Sequence, residues 1–482
     1  MSGISMRGHI LRLGHIADGL TRRVENMGAG LSQALFEPVV RLGVTGLARS
    51  GKTVFITSLI ANLLQGGRMP QLRGVALGRV EAVMLQPQPD LTLPRFAYET
   101  HLSALTADQP HWPQSTRAIS ELRLSFLVRP TGLMGAVTGP RRVHLDIVDY
   151  PGEWLLDLAL LGKTYGEWSA QTLARLASHD FGAPFLAALR GIDGMAPLDE
   201  PLATQLAAAF TTALSTAHQN GFADCTPGRF LLPGDLAGSP ALTFAPLPPA
   251  PGAPRTSLWY QMERRYNAYK SKVVTPFFRD HFSRIDRQIV LADVLGAIHS
   301  GPQAVEDLRH AMAGVMTAFR PGHNRFLAPL LGGRRVERIL FAATKADHLH
   351  HSQHARLSAI TERLMAEATA RARFAGALTQ SIALAGLRVT VEETHMHNGE
   401  PLECVRGTLS EGGAQAAFFP GDLPQDPARI LSPAQQGDTR WLDGDYAAMA
   451  FAPAKLGPNA GPGLPHIRLD RAAEFLFGDR LL

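Results

Sequence analysis

Two cysteines are all that the sequence holds, Cys225 and Cys404. They lie far apart and offer neither a disulfide framework nor a CxxC metal pair. The reading is two free thiols in a reducing compartment. No apolar run reaches the length that spans a bilayer, and the N-terminus lacks the apolar core of a signal peptide. A cytoplasmic protein is therefore expected. Charge is sparse, at 18% of residues with a formal net charge of +5 over 482 residues. That balance does not point to the clustered basic stripe of a nucleic-acid binder, so no nucleic-acid partner is expected. The 45% hydrophobic content suits a soluble globular fold. The length calls for a core domain with insertions or a second lobe.

Ile10, Leu13, Ile16 and Leu20 recur at helical spacing within residues 9–35, with Arg22 and Arg23 among the polar positions. They predict an amphipathic helix packed on the domain. Docking on the inner membrane or on a membrane partner is the alternative.

The strongest signal is Gly46-Leu47-Ala48-Arg49-Ser50-Gly51-Lys52-Thr53, a G-x-x-x-x-G-K-[ST] pattern. A β-rich stretch, residues 39–45, precedes it, and an apolar helical stretch, residues 54–64, follows it. Strand, glycine loop and helix together aim backbone N–H groups and a helix N-terminus at phosphates. Gly46, Arg49, Ser50, Gly51, Lys52, Thr53 and Val54 are the candidate phosphate-loop residues. Lys52 is expected to neutralise the β- and γ-phosphates, and Thr53 to ligate Mg²⁺.

A second strand, residues 143–148, ends in Asp149-Tyr150-Pro151-Gly152. A carboxylate at that strand end can hold a Mg²⁺-bound water, and the Gly152 N–H can face a γ-phosphate. Trp112-Pro113-Gln114-Ser115-Thr116-Arg117 reads as a loop entering the strand marked by Leu122, Leu124 and Phe126. A loop hydroxyl there, Thr116 or alternatively Ser115, suits a switch that completes the Mg²⁺ shell and senses the γ-phosphate. Arg117 is either a phosphate contact or a solvated arginine.

Residues 337–343 form a further strand, followed by Thr344-Lys345-Ala346-Asp347. The Asp347 carboxylate can accept from N1–H and the 2-amino group of guanine, and adenine has neither donor there. Lys345 can lay its stem along the base, and His348 is a candidate to line it. A strand at 381–387 ends in small residues. Ala385, Gly386 and Leu387 are assigned to the base through their backbone N–H groups, with a plain buried strand as the alternative.

The order of these pieces, with a fourth strand at 287–295, resembles a Ras-like P-loop NTPase core, a mainly parallel α/β sheet with helices on both faces. The expected divisions are a helical segment at 1–38, core halves at 39–153 and 285–387, a helical insertion lobe at 154–284, an irregular or β insertion at 388–463, and a closing segment at 464–482 packed on the core. Within the lobe, a Pro/Gly-rich loop runs from 232 to 254.

Taken together, the chain resembles the YcjX family of bacterial P-loop GTPases over nearly its full length. The resemblance rests on Gly46–Thr53, Trp112–Thr116, Asp149-Tyr150-Pro151-Gly152-Glu153-Trp154, residues 284–295, Thr344–Asp347 and residues 466–482. It implies GTP and GDP binding, a helical second lobe, an association with stress responses, and a membrane protein among the candidate effectors.

Phosphoryl transfer also needs a residue that positions water. Ras-like proteins carry glutamine after the D-x-x-G glycine, and Glu153 stands there. It either orients water or moves with the helical lobe and takes no part in chemistry. Arg49, Arg117 and Arg142 are the candidates for an arginine finger. Slow GTP hydrolysis is the expectation, with catalytic roles for Lys52, Thr116, Gly152 and Glu153. An ATPase or broad-specificity NTPase and a non-cycling GDP-bound scaffold are the alternatives.

Overall fold

A computed structural model describes residues 37–46, 50–114, 118–130, 139–220, 222, 225–317, 336–441, 446–447, 449–455 and 461–482. The amphipathic segment expected before residue 37 lies outside them, as do Arg49, Ser115, Thr116 and Arg117.

Seven strands form the central sheet: β1 (Val39–Gly46), β2 (Val80–Gln86), β3 (Ser120–Val128), β4 (Arg141–Asp149), β5 (Arg287–Ala292), β6 (Arg338–Ala343) and β7 (Leu378–Ala383). Their spatial order is β2-β3-β4-β1-β5-β6-β7. β1 runs parallel to β4 and β5, and β5, β6 and β7 continue in parallel. β3 pairs antiparallel with β4, and β2 antiparallel with β3. This is the Ras-like α/β arrangement with an added antiparallel edge strand, β2.

Period-two alternation distributes the strand residues between two apolar clusters. Ile289, Leu291, Leu340 and Ala342 join Phe55 and Ile56 on one face. Val290, Ala292, Ile339, Phe341 and Ala343 point into the other cluster. β5 is buried along its whole length, as a parallel strand covered on both faces should be.

Helix α1 (Lys52–Gln65) starts from Gly51, whose φ of 73° is left-handed, and is buried over most of its circumference. An apolar helix buried all round belongs inside a layered fold rather than at its surface.

Between β4 and β5 the described chain is helical. It opens with α2 (Gly152–Leu156) and includes α3 (Tyr165–Ala177), α4 (Glu200–Gln219) and α5 (Leu258–Tyr269). Trp168 stacks on Tyr266 with centroids 5.0 Å apart, and Phe244 packs edge-on against both. Phe244 belongs to the Pro/Gly-rich loop, of which residues 244–247 dip into the interior while the flanks reach the surface. Its carbonyls are satisfied there: Tyr165 Oη donates to Ala245 O at 2.8 Å and Ser169 Oγ to Leu247 O at 2.6 Å. Tyr150 and Trp154 lie in the same apolar cluster, so helical segment and core share one interior.

After β7, β8 (Val391–His397), β9 (Glu400–Thr408) and β10 (Gln415–Phe418) form a separate antiparallel sheet. Asn398 and Gly399, both at positive φ, turn β8 into β9. Helix α6 (His354–Leu364) covers β6 and β7. The closing helix α7 (Leu469–Phe477) packs on the Phe55 face, with Leu469, Ala473 and Leu476 buried. No helix among the described residues is long and apolar enough to cross a membrane.

Candidate nucleotide site

The C-terminal ends of β1, β4, β5, β6 and β7 meet along one edge of the sheet. β1 delivers Gly46 there. A Cβ on Gly46 would stand 2.1 Å from Ser50 Oγ and 3.0 Å from Leu291 Cβ and Leu291 O, so glycine lets the end of β1 lie close against β5. Gly51 accepts the left-handed backbone that starts α1. Ser50, Lys52 and Thr53 are buried, and Val54 is half-buried in the first turn.

Lys52 Nζ lies 3.0 Å from Asp149 Oδ1 and donates to Tyr150 O at 2.9 Å. The glycine-loop lysine and the carboxylate ending β4 thus converge, although 97 residues separate them in sequence. Tyr150 Oη donates to Gln288 Oε1 at 2.6 Å, which ties the start of this turn to β5.

Gly152 and Glu153 occupy the buried first turn of α2. A Cβ on Gly228 would sit 2.2 Å from Glu153 O and 3.0 Å from Glu153 Cβ, so glycine at 228 lets the helical segment close on this turn. Trp154 Nε1 donates to Leu232 O at 3.1 Å, and the Arg229 guanidinium lies 3.2 Å above the indole. Asp157 accepts from Gly228 N at 2.7 Å and from Tyr269 Oη at 2.5 Å. Burial raises the Asp157 carboxyl to a pKa of about 7, against the pull of those hydrogen bonds and of Arg229.

Two strands away from β1, β6 leads into Thr344, whose N–H donates to Ala292 O at 3.0 Å. Lys345 adopts a left-handed φ of 58°, a conformation that costs a non-glycine residue about 1–2 kcal/mol. Its Nζ pairs with Asp293 Oδ2. Asp347 is buried, and its Oδ2 accepts from Val389 N at 3.0 Å. His348 packs edge-on against Phe451 with centroids 5.2 Å apart. Burial holds its imidazole below the ordinary range. Trp112 is 40% exposed, yet its Nε1 donates to Phe451 O at 2.9 Å. Phe451 therefore brings Trp112 and His348 together from opposite halves of the chain.

β7 stops at Ala383, so Ala385, Gly386 and Leu387 lie in the loop beyond it and not in a strand reaching 387. Gly386 lies against α1, where a Cβ would meet Phe55 Cα at 2.9 Å. Likewise β5 ends at Ala292, three residues earlier than the apolar pattern suggests. The cause is Asp293, which accepts from Gly296 N at 2.9 Å and caps the next helix. Arg142 is no arginine finger. It stands at the N-terminal end of β4, seven residues from Asp149 or about 23 Å along the strand, and faces Glu37.

The YcjX-like family, DUF463, matches residues 40–481. The chain belongs to this family. "Ras-like GTPase YcjX" of Escherichia coli strain K12 is 38% identical over 456 residues, 92% of this chain and 96% of the relative. "Ras-like GTPase YcjX" of Shewanella oneidensis strain MR-1 is 34% identical over 469 residues, 92% of this chain and 94% of the relative.

This YcjX-family chain surrounds the edge with residues that no local motif announces. Asp293 and Phe451 are two. His101 is a third: burial lowers its pKa while the Asp149 carboxylate raises it, so it lies within electrostatic reach of that residue. The closing segment is a fourth feature. Ala385 and Ile467 exchange both backbone hydrogen bonds, Arg388 N donates to Pro465 O at 2.8 Å, and Asn62 Nδ2 donates to Leu464 O at 3.1 Å. Arg468 Nη1 reaches Ala383 O and His354 Nδ1, each at 3.1 Å, while His354 Nε2 faces Ala346 O at 2.7 Å. Residues 464–468 thus bind α1 to both loops expected at the base. An acidic residue after a strand could have flagged Asp293; the rest depend on long-range packing.

Proposed function

We propose that this chain is a Mg²⁺-dependent GTPase. It binds GTP and GDP, hydrolyses GTP slowly, and reports nucleotide state through Asp149–Asp157 to the helical lobe. The observation that carries the reading is the pairing of Lys52 with Asp149 at the strand edge that also presents Asp347. Both relatives named above are called Ras-like GTPases, which supports the same activity here.

The buried Asp149 carboxylate and the Thr53 hydroxyl are oxygen donors of the kind Mg²⁺ takes. Thr53 and Asp149 would hold the ion, with Thr116 completing the shell, and the ion would offset phosphate charge. Lys52 and the loop N–H groups orient the β- and γ-phosphates. Asp347 and Lys345 select and cover guanine, with Trp112, His348 and the Gly386 loop around it. Glu153 packs at the root of the lobe, which supports its belonging to that root rather than to water positioning. A rate without an arginine finger forgoes a factor of about 10³–10⁵. The division into a core at 39–153 and 285–387 and a lobe at 154–284 belongs to this reading. So does a stress-response setting with a membrane-protein effector, which rests on the family resemblance.

Single-turnover GTP hydrolysis with Mg²⁺, and with the ion chelated, tests the reading. Slow turnover that stops on chelation is expected. Turnover well above about one per second without a partner would contradict it. The clamp of residues 464–468 favours one second reading, a scaffold that keeps GDP. Purified protein holding only GDP, with no exchange over hours, would support that reading instead.

A further inference from the structure

On the loop that follows Asp347, His350 and His351 bring one donor atom each within 4.8 Å of one another and of Glu392. Glu403 stands beside this cluster, its Oε2 lying 2.9 Å from His350 Nε2. The four come from two segments. His350 and His351 end the loop that follows Asp347 and lead into the turn His351–Gln353 before α6. Glu392 lies opposite Val405 in the β8–β9 hairpin, so Glu403, two residues along, projects from the same face. Two carboxylates at such diagonal positions are within reach and repel unless a cation lies between them.

The imidazoles occupy that place. His350 Nε2 is 3.8 Å from Glu392 Oε2, and His351 Nδ1 is 2.8 Å from the same oxygen. His350 Nδ1 meets Ser352 Oγ at 2.9 Å and accepts from Ser352 N at 3.5 Å, which turns Nε2 toward the carboxylates. With an ion on Nε2, the ring proton would sit on Nδ1 and be donated to the Ser352 hydroxyl, the outer hydrogen bond that orients a metal-binding histidine. Tetrahedral Zn²⁺ with ligands at about 2.0–2.2 Å needs donor atoms about 3.3 Å apart. The separations of 2.8 and 3.8 Å to Glu392 bracket that value. Arg388 approaches the other oxygen of Glu392, at 3.7 Å.

We propose that His350, His351 and Glu392 form a second metal site, for Zn²⁺ or a similar borderline divalent ion, with the fourth position left to water. Two imidazoles with a carboxylate suit such an ion and disfavour Mg²⁺ and Ca²⁺, which take oxygen donors. The ion clips the β8–β9 hairpin to the loop that follows Asp347. The site stands independently of the nucleotide reading.

The test uses the full chain without a histidine tag, stripped with chelator and returned to excess Mg²⁺ so that the nucleotide edge does not compete. Zn²⁺ is titrated by calorimetry, and Co²⁺ by visible absorption. Expected are about one Zn²⁺ per chain, an intense tetrahedral Co²⁺ spectrum, and a rise in unfolding temperature with Zn²⁺. His351→Ala and Glu392→Gln, each removing one ligand, should each weaken Zn²⁺ by at least about 10-fold and abolish the rise. Ser352→Ala should cost about 10-fold through the outer hydrogen bond. Absence of saturable binding, or a Co²⁺ spectrum and Zn²⁺ affinity unchanged in both ligand variants, would overturn the proposal.

Discussion

Lys52 Nζ stands 3.0 Å from Asp149 Oδ1, and both side chains are buried. Removing the lysine takes from the buried carboxylate the ammonium that lies 3.0 Å from it. Removing one partner of a buried pair costs about 3–5 kcal/mol, while removing both is far milder. Lys52→Ala should therefore lower the stability of nucleotide-free protein by about that amount, and Lys52→Ala with Asp149→Ala should recover most of it. Neither variant should bind nucleotide. Denaturant unfolding alongside GDP binding checks both statements. A single variant as stable as the wild type would show that the pair is not what balances Asp149.

Gly386 presses its backbone against the first turn of α1. An added Cβ would lie 2.9 Å from Phe55 Cα and 3.1 Å from Phe55 N, and backbone cannot swing aside as a side chain can. Gly386→Ala should cost about 1–3 kcal/mol and weaken nucleotide binding, because the loop after β7 must move off the phosphate-loop helix. Thermal melting and GDP affinity measure the two effects. Unchanged values in both would mean that the loop has room to spare.

Asp157 supplies a pH dependence with a definite sign. Its carboxyl pKa rises from 3.8 to about 7 on folding, because burial disfavours the charge. The native state therefore holds a proton that the unfolded chain has released. The contribution is complete below the unfolded value and is lost as pH rises through about 7, at up to about 1.4 kcal/mol per pH unit. Asp157→Asn, which keeps a neutral side chain, should flatten stability between about pH 4 and pH 7. Denaturation midpoints across that range decide it, and identical slopes in both proteins would contradict the assignment.

Much of the fold was legible because it is written in local patterns. The alternation at Leu122, Leu124 and Phe126 marks β3, and Val143–Val148 marks β4. β2 was missed because it is a half-exposed edge strand with an irregular register between Val80 and Ala82. The β8–β9 hairpin reads only as part of an irregular or β insertion at 388–463, although Asn398-Gly399 is a strong turn signal. Phe244 reads as loop because its neighbours are proline and glycine; only the lobe's aromatic packing explains its burial. At the candidate site, Lys52, Asp149 and Asp347 each stand in a recognisable motif. Asp293, Phe451 and Ile467 do not, because their places depend on contacts made across tens or hundreds of residues.

The central claim is guanine recognition by Asp347. Its Oδ2 already accepts from Val389 N at 3.0 Å, and an asparagine oxygen can keep that bond. Asp347→Asn should therefore fold normally while losing a charged acceptor for the guanine N1–H and 2-amino groups. Two such bonds are worth about 1.5–3 kcal/mol each, so GTP affinity should fall by at least about 100-fold. Xanthosine triphosphate, whose 2-oxo group can accept from the new amide, should gain.

The most direct measurement is competitive binding of GTP, GDP, ATP and xanthosine triphosphate with Mg²⁺, on wild type and Asp347→Asn. The account expects strong guanine preference in the wild type, exchanged for xanthine in the variant. Equal binding of ATP and GTP by the wild type would contradict it: Thr344–Asp347 would be only a turn, and an ATPase would become the better reading.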